Sequence, residues 1–440
     1  MTLRMHSWAR RGRSRHVALL ASLFVSLAGC DDLLEVEDPD VLKPDQLQGA
    51  DAIPTRVAGA ILDFQIMFNG NFNNALVAAI GLFTDEYIHS ETFPDRLEID
   101  RRAVDRTDNQ MAERVFNGLH LARTSASEAA AAIEGFEPEN ENFALMKTLE
   151  GFAEVLLGEV FCSGVPVSRL ENNEIVFGEP RTTAQVFEAA LAIFDEALAN
   201  DAEWNLARIG KARALLDLGR FSDAATVAAA VPTSFQYFVR HSSTTPAQQN
   251  GLWNLSSNGR LSVADREGGN GLPFRSANDP RVPWVDSGTT GFDEETPLYL
   301  QLSSPEIDSD VLLADGIEAR LIEAESALRN GARATFFNTH NAVRQAAGLS
   351  PLVDTGQSAA QLVDLHFQER AFWLFSTGHR LGDLRRLVRQ YDRAANAVFP
   401  TGTHHKGTPY GDNLNFPIPV QEDNNPNTAP LNQGCLDRNA

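Results

Sequence analysis

Aromatic rings set among amides have the strongest claim to chemistry in this chain. Between about 233 and 309, Tyr237, Trp253, Trp284 and Tyr299 stand beside Asn250, Asn254, Asn258 and Asn270. A sugar ring offers apolar C–H faces that stack on flat, amphipathic side chains, while neutral amides fix the orientation of its hydroxyls. The same rings would also make a small core beneath long loops. The segment therefore reads either as a binding platform or as local packing. Trp204 and Trp373 fall in helical patterns and read as core.

Bond-making machinery is missing. The sequence has no His-Glu-x-x-His, Gly-x-Ser-x-Gly, Walker loop or Cys-x-x-Cys. Gly268-Gly269-Asn270-Gly271 lacks the strand and third glycine of a dinucleotide fingerprint and reads as a turn. His404-His405 sits in a Thr/Gly/Lys loop with no further ligand at metal-binding spacing. Asp308, Asp310 and Asp315 do not reproduce the oxygen-rich spacing of a calcium loop. With 59 Asp+Glu, carboxylate pairs arise by chance and no glycosidase can be read from them. The expectation is a binding protein with no catalytic residue, cofactor or metal.

Charge and address narrow the class. Lys+Arg total 37 against Asp+Glu 59, a net of −22 over 440 residues. Such a surface repels phosphate backbones, which excludes nucleic acid as a partner. Residues 1–29 read as an export signal: basic residues from Arg10 to Arg15, then an apolar run from Val17 to Ala28, too short to span a bilayer. Its end, Leu27-Ala28-Gly29-Cys30, resembles a bacterial lipobox, in which the cysteine becomes the acylated N-terminus. Several acyl chains on Cys30 would anchor the protein firmly to a membrane. Cys162 and Cys435 then remain. In an exported protein they invite one disulfide closing a 273-residue separation; two unrelated buried thiols are the alternative.

Residues 30–50 are acidic and read as a tether, leaving 51–440 as a single domain. Pro54 suits a helix first turn, followed by the stripe Val57, Ile61, Phe64 and Phe68. Further helical periods cover about 73–84, 107–135 and 139–161. Thr182-Thr183 can cap a helix whose face is Phe187, Ala190, Leu191, Phe194 and Leu198. A helix over 202–218 ends at Gly219, and Phe221 opens the next. This pair resembles a tetratricopeptide unit, and a similar one recurs at 316–348 around Gly331. Between them, 233–309 is rich in Gly, Ser, Thr, Asn and Pro. It reads as an irregular, loop-rich insertion with short strands, and the tail from Phe399 onward is similarly loop-like.

Two passages carry a family resemblance. Phe367-Gln368-Glu369-Arg370, continuing through Gly378-His379-Arg380 to Asp383-Leu384-Arg385-Arg386, resembles the C-terminal signature of SusD/RagB-like lipoproteins. Phe416-Pro417-Ile418-Pro419-Val420-Gln421-Glu422, with Asn425-Pro426-Asn427 after it, is similar to that family's closing motif. Trp373 and Thr377 stand where members often carry acidic residues. The resemblance implies a mainly α, SusD-like fold with tetratricopeptide-like helix pairs. It also implies that Glu369, Arg370, Arg380, Asp383 and Arg386 are structural. Their charges lie in apolar helix and need partners, since burying one alone costs several kcal/mol; Asp383 and Arg386 are i,i+3 neighbours.

By the same resemblance, the function implied is capture of a nutrient, typically an oligosaccharide, at the bacterial outer membrane. Delivery would be to a TonB-dependent, SusC-like β-barrel, with the lipid-anchored protein at the cell surface. A reading of a different class is an interaction scaffold of the cell envelope, whose helix pairs bind a protein and no small ligand.

Overall fold

The computed structural model describes residues 49–70, 75–171, 174–428 and 434–439. The export signal, Cys30 and nearly all of the acidic tether lie outside the described residues.

The core is built by helices that each lay one apolar face on the preceding one. α1 (Ile53–Asn69) opens with Pro54 in its first turn and buries Val57, Ala60, Phe64, Met67 and Phe68. Ile61 is 40% exposed, because it falls on the flank of a face centred between Ala60 and Phe64. α2 (Leu76–Phe83) is buried throughout. α3 (Pro94–Asp100) precedes the long α4 (Gln110–Phe136), which is capped by the Asn109 side chain. α5 (Phe143–Val160) follows, then α6 (Thr183–Asn200), where Thr182 and Gln185 form a reciprocal capping box. α7 (Asn205–Asp217) and α8 (Phe221–Ala228) are joined through Gly219, whose φ of 73° belongs to the left-handed region. α1 packs on α4, α4 on α5, α5 on α6, α6 on α7 and α7 on α8.

Glycines set how closely three of these helices approach. A Cβ on Gly151 of α5 would lie 2.6 Å from the Phe194 ring, and one on Gly210 of α7 would lie 2.3 Å from it. Phe194, from α6, therefore sits between two helix surfaces that have no side chain at that level.

The second tetratricopeptide-like pair is α10 (Gly316–Arg329) and α11 (Arg333–Ala346), turning at Gly331. It is 112 residues from the first by turn glycine, yet α8 packs directly on α10. The Arg320 Nη2 donates to the Ala228 and Val231 carbonyls across this junction, at 2.8 and 3.0 Å. The repeat is thus interrupted in sequence and continuous in space. α12 (Ala359–Trp373), α13 (Arg380–Tyr391) and α14 (Ala395–Val398) complete the helices.

Ten short strands form five two-stranded antiparallel sheets among the described residues. β1 (Tyr87–His89) precedes the small strands β2 (Val165–Pro166), β3 (Arg169–Glu171), β4 (Glu174–Val176) and β5 (Pro180–Arg181). β6 (Gln236–Val239) and β10 (Val311–Asp315) pair at the base of the insertion and close its neck. Inside it lie β7 (Leu261–Val263), which pairs with β1, and the hairpin β8 (Trp284–Thr290) with β9 (Pro297–Gln301). The insertion also contains a short helix, α9 (Gly251–Ser257), which the glycine- and asparagine-rich sequence does not suggest. The tail after Val398 carries no α-helix or strand among its described residues, only a 3₁₀ turn over Val420–Asn424.

Cys162 and Cys435, both buried, are disulfide-bonded with Sγ atoms 2.03 Å apart. Backbone bonds from Cys162 N to Phe416 O (2.9 Å) and from Leu436 N to Ser163 O (2.7 Å) run alongside it. No helix of the described residues is long and apolar enough to cross a membrane.

Candidate functional site

The five motif charges are all buried, and they divide among three separate groups. Arg370 Nε meets Asp383 at 2.9 and 3.0 Å, and Asp383 accepts from Arg386 at 2.8 Å. Arg386 continues to Glu325 at 2.6 Å, which also takes the Tyr391 hydroxyl (2.6 Å) and faces His366. Burial alone would raise these carboxyls. The Arg370 and Arg386 guanidiniums hold Asp383 far below the usual range, and Arg386 does the same for Glu325. Glu369 belongs elsewhere, held by Arg281 at 2.8 Å and Arg344 at 2.6 Å. Arg380 pairs with Asp85 at 2.6 and 2.8 Å. Arg385 is different again: its guanidinium caps the end of α5 through the Gly158, Glu159 and Phe161 carbonyls, and burial pushes its pKa down to about 9. Among the described residues these groups are engaged with protein, which is the arrangement of a scaffold.

The four aromatic candidates are distributed over the insertion. Trp284 and Tyr299 face each other across the β8–β9 hairpin, edge to face at 5.6 Å. Arg275 lays its guanidinium over Tyr299 at 3.6 Å and lies 5.9 Å from the Trp284 ring. Tyr237 is on β6, in a different sheet, and packs against the main core. Trp253 is on α9, its backbone N–H donating to the Asn250 cap side chain at 2.8 Å. All four rings are half-buried; the exposed aromatic of the insertion is Phe292, whose ring packs on the Arg260 guanidinium, as does Phe93.

The amides do not stand ready for a ligand. Asn250 is fully buried and donates to the Ser309 carbonyl. Asn254 and Asn258 donate to carbonyls of their own helix at 3.2 and 2.7 Å. Asn270 ties the insertion to the tail through the Asn396 and Phe399 carbonyls, at 3.0 and 2.8 Å. Of the three carboxylates Asp308, Asp310 and Asp315, Asp310 pairs with Arg240 and Asp315 caps α10.

A cavity of about 430 Å³ opens where the insertion meets the tail. Its walls are Ile88 from β1, the turn from Asp265 to Gly269 with Arg275, and tail residues Thr401–Thr403, His405 and Tyr410. Gly268, at φ 58°, brings the turn so close that a Cβ would lie 2.4 Å from Thr401 N. The tail is held in place by the Arg102 guanidinium, which bonds the Pro400, Gly411 and Asn413 carbonyls at 2.7–2.9 Å. Arg275 thus has two roles: it lines this cavity and covers the Tyr299 face. A second cleft of about 370 Å³, between Asn270, Phe367, Gln368 and Arg393, is lined by none of the four aromatic candidates.

A helical scaffold of stacked pairs, a strand-necked insertion and a loop-built tail together define a class of fold, and solved structures share it. The chain has the fold of the SusD superfamily. It aligns with a SusD superfamily protein from Parabacteroides distasonis at TM-score 0.64 and 13% identity, over 88% of this chain and 98% of that one. A surface glycan-binding protein A from Bacteroides fluxus gives 0.63 and 15%, over 89% and 99%. A SusD-like carbohydrate-binding protein from Bacteroides vulgatus gives 0.62 and 14%, over 86% and 97%. No protein-family model matches the sequence, and no curated protein matches it.

Proposed function

We propose that the protein captures a nutrient glycan at the bacterial outer membrane by reversible binding and passes it to a TonB-dependent, SusC-like barrel. The observation that carries the glycan is the 430 Å³ cavity lined by Arg275, whose guanidinium lies over Tyr299 and beside the half-buried Trp284 ring. It supplies planar apolar surface next to a donor-rich opening, the combination that a sugar's C–H faces and hydroxyls require. Two neighbours in fold are themselves described as carbohydrate- or glycan-binding. The anchor would be the acylated Cys30, with the chain on the cell surface. No bond is made or broken in this reading; the barrel and its energy source perform transport.

The test is titration of the full chain in mild detergent against an oligosaccharide library, with Trp284→Ala and Arg275→Ala alongside. A glycan that binds the native chain and loses about two- to tenfold with Trp284→Ala supports the platform, since one ring stack is worth about 0.5–1.5 kcal/mol beyond buried area. Unchanged affinity in both variants would remove this site from the account.

A further inference from the structure

We propose that Asp100, Glu267 and His405, with His404 as positioning residue, form a binding site for a divalent transition-metal ion of the zinc type. One donor atom from each of these four residues lies within 4.8 Å of the others. Adjacent histidines alone gave no such site; the fold supplies the carboxylates from α3 and from the turn before Gly268.

The two carboxyl groups are built as ligands are built. Asp100 is fully buried and Glu267 only 6% exposed. The Oδ2 of Asp100 accepts from the His89 backbone N–H (2.7 Å) and faces His404 Nε2 (2.9 Å). The Oε1 of Glu267 accepts from the Tyr410 hydroxyl at 2.7 Å. Each is therefore oriented through one oxygen, as outer partners orient metal-binding carboxylates. The remaining atoms, Asp100 Oδ1 and Glu267 Oε2, are buried and receive no N–H or hydroxyl from their surroundings, which leaves the two carboxyl groups facing one another. Two facing carboxyl groups out of water are satisfied either by one shared proton or by a cation between them. A divalent ion satisfies both oxygens and balances both charges.

The imidazoles fix the kind of ion. His404 Nδ1 accepts the Lys406 N–H at 3.1 Å, which places its proton on Nε2 toward Asp100. It thus steers the carboxylate and does not ligate. His405 Nε2 faces the His89 carbonyl at 2.8 Å, so its proton lies there and Nδ1 keeps the free lone pair. A set of two carboxylate oxygens and one imidazole nitrogen suits zinc and its neighbours better than calcium or magnesium, which take all-oxygen shells. His405 and Glu267 also line the 430 Å³ cavity, which gives the ion a path from solvent.

The experiment uses the full chain in mild detergent, stripped with chelator and titrated with Zn²⁺ alone by calorimetry. Circular dichroism confirms that each variant is folded. One ion per chain is expected, with a rise in melting temperature. Glu267→Gln and His405→Ala should each weaken binding at least about tenfold and abolish the thermal shift. His405 is exposed, so its variant folds even if Glu267→Gln does not. Equal zinc uptake by the native chain and both variants would overturn the site. So would no uptake by the native chain, with Glu267→Gln as stable as native or more so, which would assign the carboxyl pair to a shared proton.

Discussion

Glu86 offers a stability measurement whose size follows from the structure. It is fully buried beside Asp85, with Oε1 accepting the Ser376 N–H at 3.0 Å and Oε2 lacking a partner. Burial raises its pKa from 4.5 to about 8, against the lowering effect of that hydrogen bond and of Arg380. The folded chain thus holds this proton between pH 4.5 and 8, where the unfolded chain has released it. The contribution is complete below pH 4.5 and is lost as pH rises through 8. The difference is 8 − 4.5 = 3.5 units, or about 5 kcal/mol at about 1.36 kcal/mol per unit. With about 2.1 cal/mol/K of unfolding entropy per residue over roughly 390 residues, that corresponds to about 6 °C in Tm. Glu86→Gln keeps the shape and removes the titration. Melting both proteins from pH 4.5 to 9 should show the native chain losing about 6 °C more than the variant across that interval. Parallel curves would refute the argument, since no burial-driven proton uptake would then exist at Glu86.

Other expectations rest on separate features. Gly210→Val places a branched side chain where a Cβ alone would lie 2.3 Å from Phe194, so a loss of about 1–3 kcal/mol is expected in urea unfolding despite the removal of a helical glycine. Arg386→Met leaves Glu325 buried without its main cation and should cost about 3–5 kcal/mol; Arg386→Lys should recover only part, because the two-pronged contact is lost. Reduction of the Cys162–Cys435 bond releases a 273-residue closure, for which chain entropy gives about 6 kcal/mol as an upper value. Reductant should therefore lower Tm in the native chain and leave a Cys162→Ala/Cys435→Ala variant unmoved.

Local signals in the sequence reached as far as local physics does. Pro54, the Thr182–Gln185 box and the turn glycines Gly219 and Gly331 each act within one helical turn, and each stands where its type indicates. The insertion's base was visible as a change of composition, but its closure by β6 and β10 pairs residues about 75 positions apart, which no window reads. Ile61 went astray because a 3.6-residue period locates a face only to within about one flanking position. The motif charges announced that they needed partners without naming them, because Asp85 arrives from the turn after α2, Glu325 from α10 and Arg281 from the insertion. The candidate site shows the same limit. Trp284 and Tyr299 meet because a hairpin aligns them, whereas Tyr237 and Trp253 share only composition with that pair. Asparagines read as sugar-binding amides hold backbone carbonyls, and the His404-His405 pair acquires its carboxylates from positions 100 and 267.

The central claim is capture at the outer membrane followed by delivery to a barrel. Its most direct test is purification of the lipidated full chain from native membranes in mild detergent, with mass spectrometry of whatever accompanies it. The account expects a TonB-dependent β-barrel in stoichiometric amount. Recovery of soluble envelope proteins alone, or of the chain by itself, would contradict it and leave the SusD-like fold in service of a different task.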